Sequence, residues 1–421
     1  MKTIVLQQKK ERDDLLKLPY QTRTAESLAK TYLKSKPIKL ITGPRRAGKS
    51  MLALHILEGE QFAYLNFDDS KLLEKFDEDA VEQALSEVYR DYEYLLLDEI
   101  QNLEGWSVWV EKLYRRGVNM VITGSNAKLL SDDLAAALTG RFLEIRLYPF
   151  SANEYLAGRN IGLGCDTPAE TASANSALED FSVYGGYPEA IDSKSIIPGY
   201  LSALYDSIIV KDIVKRYKVR KVEELYSVAD WLLSNFTNPF SVSSLTEELE
   251  LGSETTVQKF CTYLQNTYLF QYLPRFSSKL KLMKKADRKA YVIDNGFVFA
   301  RAFELSRNSG RLLENLVFLE LLKQGYDPRK YELFYYRSHN DREVDFVLRK
   351  GVTVKGLIQV CYDLSSKKTR AREIKALLEC GQELKNENLT IITWNESGTV
   401  EEAGHTVRIV PLREWIAANR S

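Results

Sequence analysis

Gly43, Gly48, Lys49 and Ser50 stand in the order and spacing G-x-x-x-x-G-K-S. Those residue types at that spacing suit one task, the capture of a nucleoside triphosphate tail. Glycines let the backbone bend until successive N–H groups point inward at phosphate oxygens. A helix starting at the end of the motif adds the positive end of its dipole. Lys49 supplies a cation to the phosphates, and the Ser50 hydroxyl is a hard ligand for Mg²⁺. Pro44, Arg45, Arg46, Ala47 and Met51 complete the stretch that lines such a cradle. A second chemical pair is Asp98-Glu99, which follows Tyr94-Leu95-Leu96-Leu97. In this pairing Asp98 holds the metal, usually through water, and Glu99 polarises the water that attacks the γ-phosphate. The pattern therefore asks for ATP and Mg²⁺.

Both sets need strands to carry them. Residues 38–41 read as a short buried strand and 50–57 as an apolar-faced helix, which gives the strand, loop and helix that a phosphate cradle requires. Residues 61–67 alternate like a strand, and 77–89 read as a charged helix. The apolar run 94–97 is continuous, as a parallel strand buried on both faces must be. Ligands collect at the carboxyl ends of such strands. A further strand, 118–122, ends in Thr123-Gly124-Ser125-Asn126. Residues 131–138 read as a helix, and Gly140-Arg141 precedes a strand over 142–147. Upstream, 15–36 carries helical spacing through Leu28, Tyr32 and Leu33.

The 421 residues are enough for two to four domains. Lys and Arg total 58 and Asp and Glu total 58, so no global field declares a polyanionic partner. Cys165, Cys261, Cys361 and Cys380 are scattered without a C-x-x-C pair and read as reduced thiols. Residues 1–10 hold only Ile4-Val5-Leu6 as an apolar run, too short for a signal peptide. No stretch approaches the ~18 apolar residues of a membrane span. The expectation is a soluble, cytoplasmic protein with no membrane partner.

The ordered set GPRRAGKS, YLNFDD, LLLDEIQNLEGW, VITGSNAKLLS, LTGRF and LYPFSANEYL resembles a large prokaryotic family of AAA-type ATP-binding proteins joined to a C-terminal domain of unknown function. That resemblance implies further roles. Asn126, or Ser125 beside it, would sense the γ-phosphate; a helix N-cap is the alternative, since both types favour it. Arg141 would be the finger that reaches a neighbouring copy's γ-phosphate, a task suited to a planar cation. It would require a homo-oligomer; a structural salt bridge is the alternative. Pro188, in Gly185-Gly186-Tyr187-Pro188, resembles the proline that some NTPases place beside adenine, with a plain turn as the alternative.

Residues 158–176 are rich in Gly, Ala, Ser and Thr and read as a loop. A helix over 198–217 ends in a crowd of cations, Lys211, Lys215, Arg216, Lys218, Arg220 and Lys221. Three helices (223–233, 244–251, 254–269) and two strands (270–276, 289–293) then follow in winged-helix order. On the third helix Glu254, Thr255, Thr256 and Lys259 would face outward. The ribbon carries Arg275, Lys279, Lys281, Lys284, Lys285, Arg288 and Lys289 against one acid, Asp287. This is either a nucleic-acid reader, with the third helix in the major groove and ribbon cations on phosphates, or a lid on the ATPase. The remainder, a helix over 311–324, three strands, a helix and a strand, resembles the restriction-endonuclease-like fold. Glu314 and Asp345 fit its first two acidic positions, but the third reads Gln359-Val360-Cys361, which lacks both the acid and the lysine.

The expected fold is multidomain α/β. A P-loop NTPase (AAA-type) parallel sheet spans 1–155, a helical linker or lid 156–220, a winged helix 221–290, and a restriction-endonuclease-like domain without nuclease activity 291–421. The expected function is Mg²⁺-dependent ATP hydrolysis that drives or switches the attached domains. Two readings stay open beside it: a nucleic-acid-binding regulator for which ATP is only a ligand, and a Mg²⁺-dependent DNA nuclease.

Overall fold

The structure, a computed structural model, describes residues 1–126, 140–164, 167–191, 194–277, 279, 281, 283, 286–302, 308–402 and 404–419. The chain divides into two compact units, Met1–Pro149 with Asn266–Tyr268, and Phe150–Gln265 with Leu269–Ser421.

The first unit runs α1 (Lys2–Leu15), α2 (Ala25–Leu33), β1 (Ile38–Thr42), α3 (Lys49–Ile56), β2 (Phe62–Asn66), α4 (Ser70–Glu74), α5 (Glu78–Tyr89), β3 (Tyr94–Asp98), α6 (Trp106–Arg115), β4 (Asn119–Gly124) and β5 (Phe142–Arg146). The strands form one sheet in the order β2-β3-β4-β1-β5, and every pair is parallel. Side chains alternate between faces along a strand. Leu40, Leu65, Leu95, Leu97 and Ile122 accordingly enter one core with Trp109, while Ile41, Tyr64, Leu96 and Val121 enter another with Leu52 and Leu54. Both faces are covered, which accounts for the unbroken apolar run before Asp98. The crossovers also send all five carboxyl ends to one edge, where β1 and β3 flank β4.

Two details depart from the sequence reading. Residues 2–15, to which the sequence reading assigns no element, form α1. Its buried face is only Val5 and Gln8, and the Gln8 amide brackets Asn66 at the end of β2. Leu28, placed on the packing stripe of α2, is 47% exposed. The helix expected over 131–138 lies outside the described residues.

The second unit begins with α7 (Ala152–Ala157), α8 (Pro168–Tyr184) and α9 (Ile197–Ser207), which continues into a π-helical stretch, Ile208–Lys215. Then come α10 (Val222–Ser234), β6 (Pro239–Phe240), α11 (Val242–Glu248), α12 (Glu254–Asn266), β7 (Phe270–Pro274) and β8 (Arg288–Val292). These strands make a small antiparallel sheet ordered β6-β8-β7. After α13 (Asn295–Arg301) and α14 (Ser309–Lys323) follow β9 (Leu333–Arg337), β10 (Glu343–Lys350), β11 (Thr353–Val360), α15 (Lys367–Leu384), β12 (Leu389–Thr393), β13 (Gly398–Glu402), β14 (His405–Pro411) and α16 (Leu412–Ala418). Their sheet is ordered β13-β14-β12-β11-β10-β9, antiparallel across β9, β10 and β11 and parallel across β11, β12 and β14.

The loop expected over 158–176 is a helix from Pro168 onward. Thr167 accepts from the Glu170 amide while the Glu170 carboxylate accepts from the Thr167 amide, and proline fills the first turn. That reciprocal cap offsets the small-residue composition. The hairpin β13–β14 was not anticipated. Among the described residues no helix is long and apolar enough to cross a membrane.

Candidate active site

The turn after β1 is built around two glycines. Gly43 has φ +153°, and a Cβ there would lie 1.9 Å from the Leu147 carbonyl oxygen, so no side chain fits. Gly48 has φ +92°, a left-handed conformation cheap only for glycine. Between them Arg46 is also left-handed, at φ 65°. A buried arginine from outside the motif braces the turn: Arg23 donates through Nη1 to the Ala47 carbonyl (2.9 Å) and through Nη2 to the Tyr148 carbonyl (2.6 Å).

Lys49 opens α3 and is buried, donating to the Pro44 carbonyl at 3.0 Å. The same ammonium lies 3.4 Å from Glu99 Oε1. Ser50 donates to Asp98 Oδ1 at 2.8 Å. Residues 48 positions apart thus meet because β1 and β3 end on the same edge. Of the predicted set, the structure brings together Gly43, Gly48, Lys49, Ser50, Asp98 and Glu99.

Two polar side chains tie the acids to the sheet. The Thr123 hydroxyl donates to Asp98 Oδ1 and accepts the Glu99 N–H at 3.0 Å, and Tyr64 donates to Asp98 Oδ2 at 3.2 Å. Glu99 itself is left-handed, φ 51° and ψ 42°, an unusual conformation for a non-glycine residue. Its Oε2 accepts from Ser125 at 2.9 Å and from Gln101. Burial, and then the neighbouring Glu99 charge, push the Asp98 carboxyl up to about 6. Burial also opposes ionisation of Glu99, but the Lys49 cation, the bonds from Gln101 and Ser125 and the Arg45 charge outweigh it, leaving this carboxyl below its ordinary value. The two acids are therefore unequal. One is a charged partner of lysine, and the other is a desolvated carboxylate beside a serine hydroxyl, a hard-oxygen pair fit for a magnesium ion.

Asn126 is buried at the end of β4, one residue beyond the Ser125 that bonds Glu99. Tyr64, Gln101, Thr123 and Arg23 were missed in the sequence. Thr123 left a signal, since a polar residue ending an apolar strand needs a buried partner. Arg141 is not brought to the site of its own chain. It precedes β5, whose Phe142 pairs with Ile38 at the amino end of β1, about 16 Å from the loop at 3.3 Å per residue. There Arg141 pairs with Glu111 at 3.0 Å. Pro188 opens a short 3₁₀ turn in the second unit.

Three ribbon cations expected to meet phosphates are otherwise engaged. Lys289 is buried and contacts Glu343 (2.8 Å), Glu314 (2.9 Å) and Asp345 (3.1 Å). Arg288 lies over the rings of Tyr272 and Phe240, and Arg275 donates to the Arg337 carbonyl at 3.0 Å. Lys284 and Lys285 lie outside the described residues. Glu314 and Asp345 are indeed adjacent, but the cation between them is Lys289. At the third corner Gln359 donates to Glu373 at 2.9 Å.

The AAA domain family model matches residues 35–156. Models described only as domains of unknown function, DUF8612 and DUF4143, match 175–307 and 309–415. An uncharacterized protein of Methanocaldococcus jannaschii is 35% identical over 397 residues, covering 90% of this chain and 88% of its own. An uncharacterized protein of Haemophilus influenzae is 31% identical over 344 residues, covering 78% and 83%. Among solved structures, a Walker-type ATPase of Pyrococcus abyssi aligns with TM-score 0.43 and 16% identity over 68% of this chain and 99% of that one. The chain belongs, with its archaeal and bacterial relatives, to a family in which an AAA-type ATPase domain on a parallel P-loop sheet is joined to C-terminal domains of unknown function.

Proposed function

We propose that this protein binds ATP with Mg²⁺ in the cradle after β1 and hydrolyses it, and that the cycle switches the arrangement of the attached domains. The supporting observation is that Lys49, Ser50, Asp98 and Glu99 share one partly buried polar network in which Lys49 and Asp98 are buried. Backbone amides between Gly43 and Ser50 bind the phosphates, and Lys49 neutralises them. Ser50 and Asp98 hold the Mg²⁺, which when bound neutralises charge on the phosphate oxygens. Glu99 takes the proton of the attacking water. Lys49 is shared between the Pro44 carbonyl and Glu99, so phosphate oxygens that take up this ammonium leave the Glu99 carboxylate to face water. Thr123, Ser125 and Gln101 keep the two acids in register, and Asn126 reports on the γ-phosphate. Arg141 acts on a neighbouring copy, so catalysis is completed in a homo-oligomer.

The helix, short strand, helix, helix and ribbon order of 222–292 supports a winged helix. The α14, β9–β11, α15, β12 order supports a restriction-endonuclease-like module. Lys289 between its acids and the Gln359–Glu373 bond argue against metal-dependent cutting there. Phosphate release from ATP, measured for wild type and Glu99→Gln, tests hydrolysis. Loss of a positioned base lowers turnover by roughly 10²-fold or more. Equal rates, with ATP binding intact in both, would leave ATP as a ligand only.

A further inference from the structure

Of the ribbon's described cations, three are engaged and two, Lys279 and Lys281, are exposed. Lys289 is consumed by carboxylates, Arg288 by two rings and Arg275 by a carbonyl. A larger group of exposed cations among the described residues is the segment from Lys211 to Lys221. It holds six cations and one acid, and that acid, Asp212, is only 5% exposed. Lys211, Lys215, Lys218, Arg220 and Lys221 all face solvent. Only Lys221 has an acidic partner among the described residues, Glu224 at 2.7 Å. In a chain whose charges otherwise balance, five solvated cations within eleven residues make a local field that attracts polyanions.

The fold places this segment beside a second feature. Tyr217 stacks on Tyr263 of α12, rings parallel within 11° and centroids 3.8 Å apart. The apolar face of α12 (Val257, Phe260, Cys261, Leu264) is buried. The opposite face presents Thr255, Gln258, Lys259 and Thr262, spaced three and four residues apart and exposed. These are hydrogen-bonding side chains with one positive charge among them, the kind a groove edge accepts; the exposed acid Glu254 stands at the start of the helix. Tyr263 borders that face next to Lys259, so the stacked pair sets the basic segment along its flank.

We propose that the exposed face of α12 and the flanking segment 211–221 form one docking surface for double-stranded DNA, the helix lying in a groove and the segment's cations gripping phosphates. This goes beyond ATP hydrolysis and does not depend on it. Charge complementarity fixes the partner as a polyanion. The pairing of a rigid helix face with cations along one side fits a duplex better than a flexible strand.

The test is fluorescence anisotropy of a labelled 30-base-pair DNA duplex with the full chain, without nucleotide, across a salt series. Two variants are compared: Lys215→Gln/Lys218→Gln/Arg220→Gln, and the ribbon pair Lys279→Gln/Lys281→Gln. At 0.1 M salt the triple variant is expected to bind at least tenfold more weakly, and the slope of log K against log salt to flatten by about 2 to 3, one charge release for each cation lost. The ribbon pair is expected to change affinity less than threefold. All substituted side chains are exposed, and coincident melting curves check that folding is intact. Wild type without salt-dependent binding, a triple variant that binds like wild type, or a larger loss from the ribbon pair would each overturn the proposal. Preference for single strands or for an RNA duplex would do so as well.

Discussion

Replacing Lys289 with methionine removes one charge and almost no volume from the second unit. In the native fold the ammonium lies 2.8 to 3.1 Å from three carboxylates contributed by α14 and β10. Burial alone would drive this lysine toward neutrality, but the charges of Glu314, Asp345 and Glu343 outweigh it and hold its pKa well above the usual value. Without it, three acids face one another with little water to screen them. Removing one partner of a buried pair costs about 3–5 kcal/mol, equivalent to a melting-point drop of roughly 10 °C for a unit of this size. The loss carries a pH signature. Even in wild type, burial and then the Asp345 charge push Glu314 up to about 7, and burial also raises Asp345. A carboxyl with a raised folded pKa binds its proton more tightly folded than unfolded. Its neutral form therefore favours the fold as pH falls through the folded value, and that contribution is lost as pH rises past it. In the variant these carboxyls rise further, so the deficit against wild type is largest near pH 8 and shrinks by pH 5.5. Urea melts at both pH values, read by circular dichroism, measure it. A deficit below about 1 kcal/mol at pH 8, or one that does not shrink on acidification, refutes the idea that Lys289 neutralises this cluster.

Two further substitutions probe the candidate active site. Thr123→Val keeps shape but removes the hydroxyl that donates to Asp98 and accepts the Glu99 amide. It should cost roughly 2 kcal/mol in urea melts, raise the Asp98 pKa above about 6, and slow phosphate release most at low pH, with recovery as pH is raised. Gly43→Ala puts a methyl 1.9 Å from the Leu147 carbonyl; nucleotide titration should show at least a tenfold loss of ATP affinity, and unchanged affinity would mean that the turn bends freely.

What the sequence disclosed, and what it hid, follows from how far each interaction reaches along the chain. The cradle was legible because its conformation depends on local residue types: two glycines fix the turn, and the lysine and serine follow at once. β3 was legible because a strand buried on both faces has no polar break until Asp98. The 3.4 Å contact between Lys49 and Glu99 depends on the strand order, which puts β4 between the two and supplies Thr123 from it. The ribbon misled for the same reason. Lys289 is one of several lysines in its stretch, and its carboxylate partners lie 25 to 56 residues downstream. β13 escaped notice because an edge strand with almost no buried residue has no alternation to read. The start of α8 was misjudged by composition, although Thr167-Pro168-Ala169-Glu170 spells a capping box.

Calorimetric titration of the full chain with ATP in the presence of Mg²⁺, for wild type and Lys49→Ala, tests the nucleotide assignment most directly. The account predicts saturable binding of one ATP per wild-type chain that weakens on magnesium removal, and at least a tenfold loss in Lys49→Ala. Binding that is indifferent to both the metal and the lysine would contradict it.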